Sequence, residues 1–176
     1  MKKFLNIIVA VIIAFSISGC EKDDICASTT PTTPRIVIDF YNRENNDVLK
    51  NVTRLTAKGI DEEIGIVFNE NGTEITKYQT NANRLSLPLK LNSETTQYVL
   101  TQYSDTEELT NSDTITFNYS TRQLYVSRAC GYKINFRLND ADPAKRELDG
   151  NEWISNIVVE TTNIETENET HIKIYF

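Results

Sequence analysis

Cys20 stands where a thiol would be consumed by lipid. Met1-Lys2-Lys3 gives a basic start, residues 4–15 form an apolar stretch, and Ile17-Ser18-Gly19 lead directly into the cysteine. This is the arrangement of a lipobox. Its cysteine thiol is alkylated by a diacylglyceryl group, the chain is cut just before it, and the new N-terminus is usually acylated as well. Residues 1–19 therefore read as a cleaved lipoprotein signal peptide, with Cys20 as the lipidated first residue of the mature chain. Length argues against a transmembrane helix, because an apolar run of about 12 to 14 residues falls short of the ~20 that a bilayer core requires. One acyl chain binds marginally and reversibly, at about 0.8 kcal/mol per buried methylene, whereas several together anchor stably.

The other two cysteines, Cys26 and Cys130, are an even pair in an exported chain, where thiols meet an oxidising compartment. They are expected to form a disulfide. No cluster of further ligands accompanies them, which argues against a metal site. The bond would have a mechanical effect. With Cys26 pinned, the free tether from Cys20 reaches about 20 Å at full extension; unpinned, it runs to Pro34 and reaches roughly 45 Å.

Residues for catalysis are harder to assemble. His171 is the single histidine and is read as a surface residue before the last strand, so a triad or multi-histidine metal centre lacks its parts. Gly-x-Ser-x-Gly, phosphate-loop and His-Glu-x-x-His patterns do not occur. Acidic groups at Asp61-Glu62-Glu63 and Glu107-Glu108 fall in expected loops, and a glycosidase would need two of them facing each other across a cleft. Asn139-Asp140-Ala141-Asp142 offers oxygen ligands but lacks the glycine and distal glutamate of a calcium loop, so it reads as a solvated turn. Trp153, with Tyr41, Tyr103, Tyr125 and Tyr175, could form an aromatic platform; burial of Trp153 in the core is the preferred account. No catalytic residue, metal or cofactor is assigned.

Charge narrows the partners. The chain carries 18 Lys/Arg against 25 Asp/Glu, and loss of residues 1–19 removes Lys2 and Lys3 but no acid, moving the formal charge from −7 to −9. Such a surface repels nucleic acid and anionic headgroups.

The elements that must position these groups are strands. Residues 20–33 form an acidic, then Ser/Thr/Pro-rich tether without apolar periodicity. From residue 34 to 176 the pattern has period two: Ile36, Ile38 and Phe40; Leu85, Leu87, Leu89 and Leu91; Ile115, Phe117 and Tyr119; Tyr132, Ile134, Phe136 and Leu138; Ile172, Ile174 and Phe176. Pro88 marks an edge or bulge. A hairpin is expected at Asn71-Gly72 after a strand over Ile64 to Phe68, and another turn at Ser120 to Gln123. Asp142-Pro143 ahead of Gly150 predicts a short helix over residues 142–148. The expected fold is one all-β domain, an antiparallel β-sandwich of immunoglobulin-like architecture, with a β-barrel as the alternative.

Three resemblances add to this. Lys22-Asp23-Asp24, just after Cys20, resembles the surface-export signal of Bacteroidota lipoproteins, and implies the outer face of the outer membrane. Asp113-Thr114-Ile115 resembles the O-glycosylation acceptor of exported proteins from the same bacteria. The segments Pro34 to Tyr41, Arg128 to Tyr132, Trp153 to Glu160 and Glu169 to Ile174 resemble an uncharacterised Bacteroidota lipoprotein family, a domain of unknown function. That likeness implies the anchor and a β-rich domain and supplies no catalytic residues. The expected role is a non-enzymatic module, tethered by N-terminal lipid, that binds an envelope protein, peptide or glycan. An envelope hydrolase using loop carboxylates is the alternative.

Overall fold

Eleven strands are found among residues 25–176, the part of the chain that the computed structural model describes; Cys20, Lys22, Asp23 and Asp24 lie outside it. In chain order they are β1 (Ile36–Asn42), β2 (Asn45–Leu49), β3 (Thr56–Gly59), β4 (Arg84–Leu87), β5 (Thr95–Gln102), β6 (Asn111–Ser127), β7 (Gly131–Leu138), β8 (Ala144–Arg146), β9 (Asn156–Val159), β10 (Asn163–Ile164) and β11 (Ile172–Tyr175). The described residues divide into two compact units. The larger comprises Pro31–Gln123 and Ile134–Phe176, the smaller residues 25–30 and Leu124–Lys133.

In the larger unit the period-two pattern does what it predicts except at Leu91, which lies beyond β4 and is 49% exposed. Ile36, Ile38 and Phe40 of β1, Leu85 and Leu87 of β4, and Ile172 and Ile174 of β11 all turn their side chains into one core. Leu100, Ile115, Phe117, Tyr119, Phe136 and Leu138 reach the same core from the other sheet. Each such aliphatic or phenyl side chain contributes about 1.5–3 kcal/mol by leaving water. Aromatic rings knit the layers: Trp153 lies 6.2 Å from Phe40 and 5.5 Å, edge to face, from Phe176. Trp153 is thus a core residue, 7% exposed.

One sheet runs β2-β1-β11-β9, with β4 also on β1; the other runs β10-β7-β6-β5-β3, with β8 also on β6. Neither closes into a barrel, and the fold is an all-β sandwich. The pairing of β1 with β11 is parallel, Ile38 opposite Ile172 and Phe40 opposite Ile174, whereas a purely antiparallel arrangement is the expectation from sequence.

Local expectations fail where tertiary pairing overrides local chemistry. Residues 144–146 are not helical. They form β8, with Ala144 opposite Phe117 and Arg146 opposite Ile115, so ladder bonds to β6 replace the helix that Asp142-Pro143 favours. Ile64 to Phe68 is not a strand: the Ile66 N–H donates to Ala57 O and the Phe68 N–H to Lys77 O, beside a 3₁₀ turn at Thr76–Tyr78. Asn71-Gly72 does lie in a tight turn, closed by the Gly72 N–H on Asn69 O at 3.0 Å. Ser120 to Gln123 is no turn, because β6 continues to Ser127. The reversal comes after it, where Gly131 adopts a φ of +69° that other residues resist.

The smaller unit is held differently. Cys26 and Cys130 form the expected disulfide, Cα atoms 4.9 Å apart. The Cys130 N–H donates to Ser127 Oγ at 3.0 Å, and Tyr125 packs edge to face on Tyr132 at 5.3 Å. Both tyrosines are 62% exposed.

Candidate functional site

Among the strand edges left unpaired within the described residues of the larger unit, two are followed by a groove. β9 ends its sheet, bonded to β11 alone, and β8 is bonded to β6 alone. Between them lies an open groove of about 620 Å³ lined by Ala144 to Leu148 and Ser155 to Ile157. A second hollow of about 290 Å³, lined by Arg43, Asn46, Val158 and Tyr175, shares Ser155 and Asn156 with the first, so the depression runs along β9. Unpaired N–H and C=O groups make such an edge a template for another extended chain. Leu148 and Val158 expose apolar surface beside it, 77% and 37% respectively.

Cationic side chains are concentrated here although the chain as a whole is acidic. Arg43, Lys145 and Arg146 line the depression against Glu147, which accepts from the Gln97 amide at 3.2 Å. Arg146 Nε is buried without a hydrogen-bond partner among the described residues. Its charge helps hold Asp113 and Glu152 in their ionised forms.

On the outward face of the same sheet a buried polar group is fully paired. Asp39, 4% exposed, accepts from Arg84 Nε at 2.6 Å and Nη2 at 2.8 Å, and from Thr170 Oγ1 at 2.6 Å. Burial alone would raise its pKa. The hydrogen bonds from Arg84 and Thr170, with the charges of Arg84 and Lys173, outweigh that and hold it below the ordinary 3.8. Beside it Tyr41 and Tyr175 pair at 5.6 Å, and Lys173 lies 5.7 Å over the Tyr41 ring while bonding Glu160 at 2.8 Å.

His171 corrects the expectation of a surface residue. It is fully buried. Its Nδ1 accepts the Val37 N–H at 2.8 Å, which fixes the ring proton on Nε2. Burial lowers its pKa below 6.5. Val37 is also fully buried, although it alternates with the core residues Ile36 and Ile38. Both faces of β1 are therefore covered at this end, the outer one over residues whose neighbours Thr170 and Glu167 bond Asp39 and the Arg35 N–H. An apolar Val37 on the supposedly wet face was the sequence signal for this covering, and for the pairing of Asp39 that sequence reading missed.

The structure scatters the other candidate groups. Asp61 bonds Lys90 at 2.8 Å and Asp140 bonds Arg137 at 2.8 Å, and just before the Glu107-Glu108 pair Asp105, not a candidate from sequence, bonds Arg54 at 2.7 Å. Near Asp61 is a cleft of about 290 Å³ whose Tyr98, pushed up to about 12 by burial, donates to Pro88 O. Tyr98 thus serves as a hydrogen-bond donor to the main chain. Asp113 is a structural carboxylate: it accepts the Ile154 N–H at 2.7 Å and the Trp153 N–H at 3.4 Å, while burial raises its pKa. Thr114 sits inside β6, opposite Val99, with its carbonyl accepting from Glu147. Of the proposed aromatic platform, Trp153 is in the core, Tyr41 pairs with Tyr175, and Tyr125 belongs to the smaller unit. No group of three or more His, Cys, Asp or Glu side chains placed to hold a metal is found among the described residues.

Neither a curated protein nor a solved structure matches the chain significantly. Residues 55–176 match the model of a family described as a family of unknown function, DUF6452. That match covers well over half of the chain and takes in the nine strands from β3 to β11, so the protein belongs to the DUF6452 family.

Proposed function

We propose that this is a lipid-anchored lipoprotein of a Bacteroidota outer membrane, exposed at the cell surface, that works by binding and not by catalysis. Its occupant is an extended, carboxylate-bearing segment of a partner envelope protein, laid along β9. The observation that carries this reading is the coincidence of two unpaired strand edges with a groove lined by Arg43, Lys145 and Arg146 in an acidic chain. Main-chain bonding to an open edge supplies affinity, and side chains in the adjoining hollows supply selection. The anchor rests on Ile17-Ser18-Gly19-Cys20, and the surface location on Lys22-Asp23-Asp24.

A photo-crosslinking side chain at Val158 or Leu148, in the full-length protein at native abundance, should give a discrete adduct that the same group at exposed Ile75 does not. Adducts from all three positions alike, or from none, would overturn the reading. The anchor is tested separately: a fatty-acid label should be incorporated by the intact protein and lost in Cys20→Ala, and protease added to whole cells should remove the domain.

A further inference from the structure

β6, β7 and β10 enclose a different hollow in the larger unit. It measures about 180 Å³ and is lined by Ser120, Arg122, Asn135, Phe136, Arg137, Asn163 and Glu165. Almost every side chain in it is polar, which is unlike a packing defect. The register builds it: Asn163 of β10 stands opposite Arg137 of β7, and Ser120 of β6 lies 3.5 Å from the Arg137 carbonyl.

Asn135 is the anomaly. It is only 6% exposed, and its Oδ1 is buried without a hydrogen-bond partner among the described residues. An orphaned amide of this kind costs about 1–3 kcal/mol, and an apolar residue of similar shape would avoid that cost. Arg122, which lines the hollow and is exposed, has no ion-pair partner among the described residues, whereas Arg137 is bonded to Asp140. The hollow thus combines an unmet buried amide, a solvent-exposed guanidinium free of any ion pair among the described residues, and additional donors and acceptors at Ser120, Asn163 and Glu165.

We propose that this hollow binds one sugar-acid unit, a polyhydroxylated monocarboxylate. Its carboxylate meets Arg122, because a planar guanidinium takes two carboxylate oxygens at once. A ring hydroxyl meets Asn135, since a hydroxyl both donates and accepts and so satisfies the amide in either orientation. The remaining hydroxyls have Ser120, Asn163 and Glu165 within the lining. At ~30 Å³ per water, the volume equals roughly six waters, which suits a single pyranose and excludes longer chains from the hollow itself. A ligand this small is expected to bind with a dissociation constant on the order of 1 mM.

Ligand-observed NMR on the full-length protein in detergent tests this with four probes. D-glucuronate should give saturable binding. D-glucose, without the carboxylate, and cyclohexanecarboxylate, without the hydroxyls, should each bind at least tenfold more weakly. Methyl β-D-glucuronoside separates the two sources of the ligand: binding tighter than the free acid assigns the terminal residue of a glycan, and weaker binding assigns a free sugar acid. Arg122→Gln, at an exposed position, should weaken glucuronate at least tenfold without moving the melting temperature. Asn135→Leu should abolish binding while leaving the melting temperature equal or higher, an outcome that a merely structural asparagine would not produce. Equal binding of glucuronate, glucose and cyclohexanecarboxylate, no binding of glucuronate, or an unaffected Arg122→Gln variant would overturn the proposal.

Discussion

The larger unit is held by a core, and the smaller one by a covalent bond. The first buries more than twenty apolar side chains in one cluster. The second offers a disulfide, one backbone-to-serine hydrogen bond and a pair of half-exposed tyrosines. A segment of this size cannot remove enough apolar surface from water to offset its own ordering, at roughly 1–2 kcal/mol per residue for the backbone alone. A crosslink is the remaining way to fix it. The two units therefore respond to different insults: the larger to cavities and buried charge, the smaller to reductant.

Phe117→Ala should expose the contrast most strongly. It empties the centre of the core and is expected to cost about 3–5 kcal/mol, read as a lowered midpoint in chemical denaturation. Replacing both cysteines, Cys26→Ser with Cys130→Ser, should come next. A bridge spanning 104 residues constrains the unfolded chain, and its loss is expected to cost about 2–4 kcal/mol with native strand content preserved in circular dichroism. Loss of strand content on reduction would show that the core depends on the bridge, and would dissolve the distinction.

Acid sharpens the comparison within the larger unit. His171 has a pKa lowered by burial, so the unfolded chain takes up a proton first as the pH falls. Its contribution is complete above 6.5 and is lost as the pH drops from there toward the lowered native value. Asp39 has a net lowered pKa, so its contribution is complete above 3.8 and is lost as the pH falls through the native value beneath it. Denaturation midpoints measured against pH should therefore fall in two stages, with His171→Gln removing the upper slope and Asp39→Asn the lower. The smallest effect is expected for Tyr125→Ala. An exposed edge-to-face pair contributes about 0.5–1.5 kcal/mol at most, and the change should appear in local amide exchange near Tyr132 more than in the global midpoint.

Where side-chain alternation is governed by a single buried face, the sequence was legible. Ile36, Ile38 and Phe40, or Ile115, Phe117 and Tyr119, declare their strand and its inner face without help. The disulfide followed from parity and compartment. Legibility ended where long-range partners decide the outcome. Residues 144–146 have local helix chemistry and a β partner more than twenty residues away, and no local rule weighs the second against the first. His171 looked exposed because it precedes a strand, while its surroundings come from Val37, 134 positions earlier. The groove along β9 was equally hidden, because an unpaired edge is a property of strand order. The hollow at Asn135 depends on which polar positions of β6, β7 and β10 end up side by side.

The parallel seam between β1 and β11 carries a consequence for the order of events in the life of the chain. The first strand, flanked early by β2 and β4, lacks its neighbour on the other side until the last has been made, because Ile38 waits for Ile172 and Val37 for His171. Contacts this distant along the sequence slow folding, since the entropy of closing the intervening chain is spent before they form. Until the C-terminal strand emerges, the sheet that buries Ile36, Ile38 and Phe40 has no centre. Closure of the sandwich therefore waits on the C-terminal strand, whose Ile172 and Ile174 stand opposite Ile38 and Phe40.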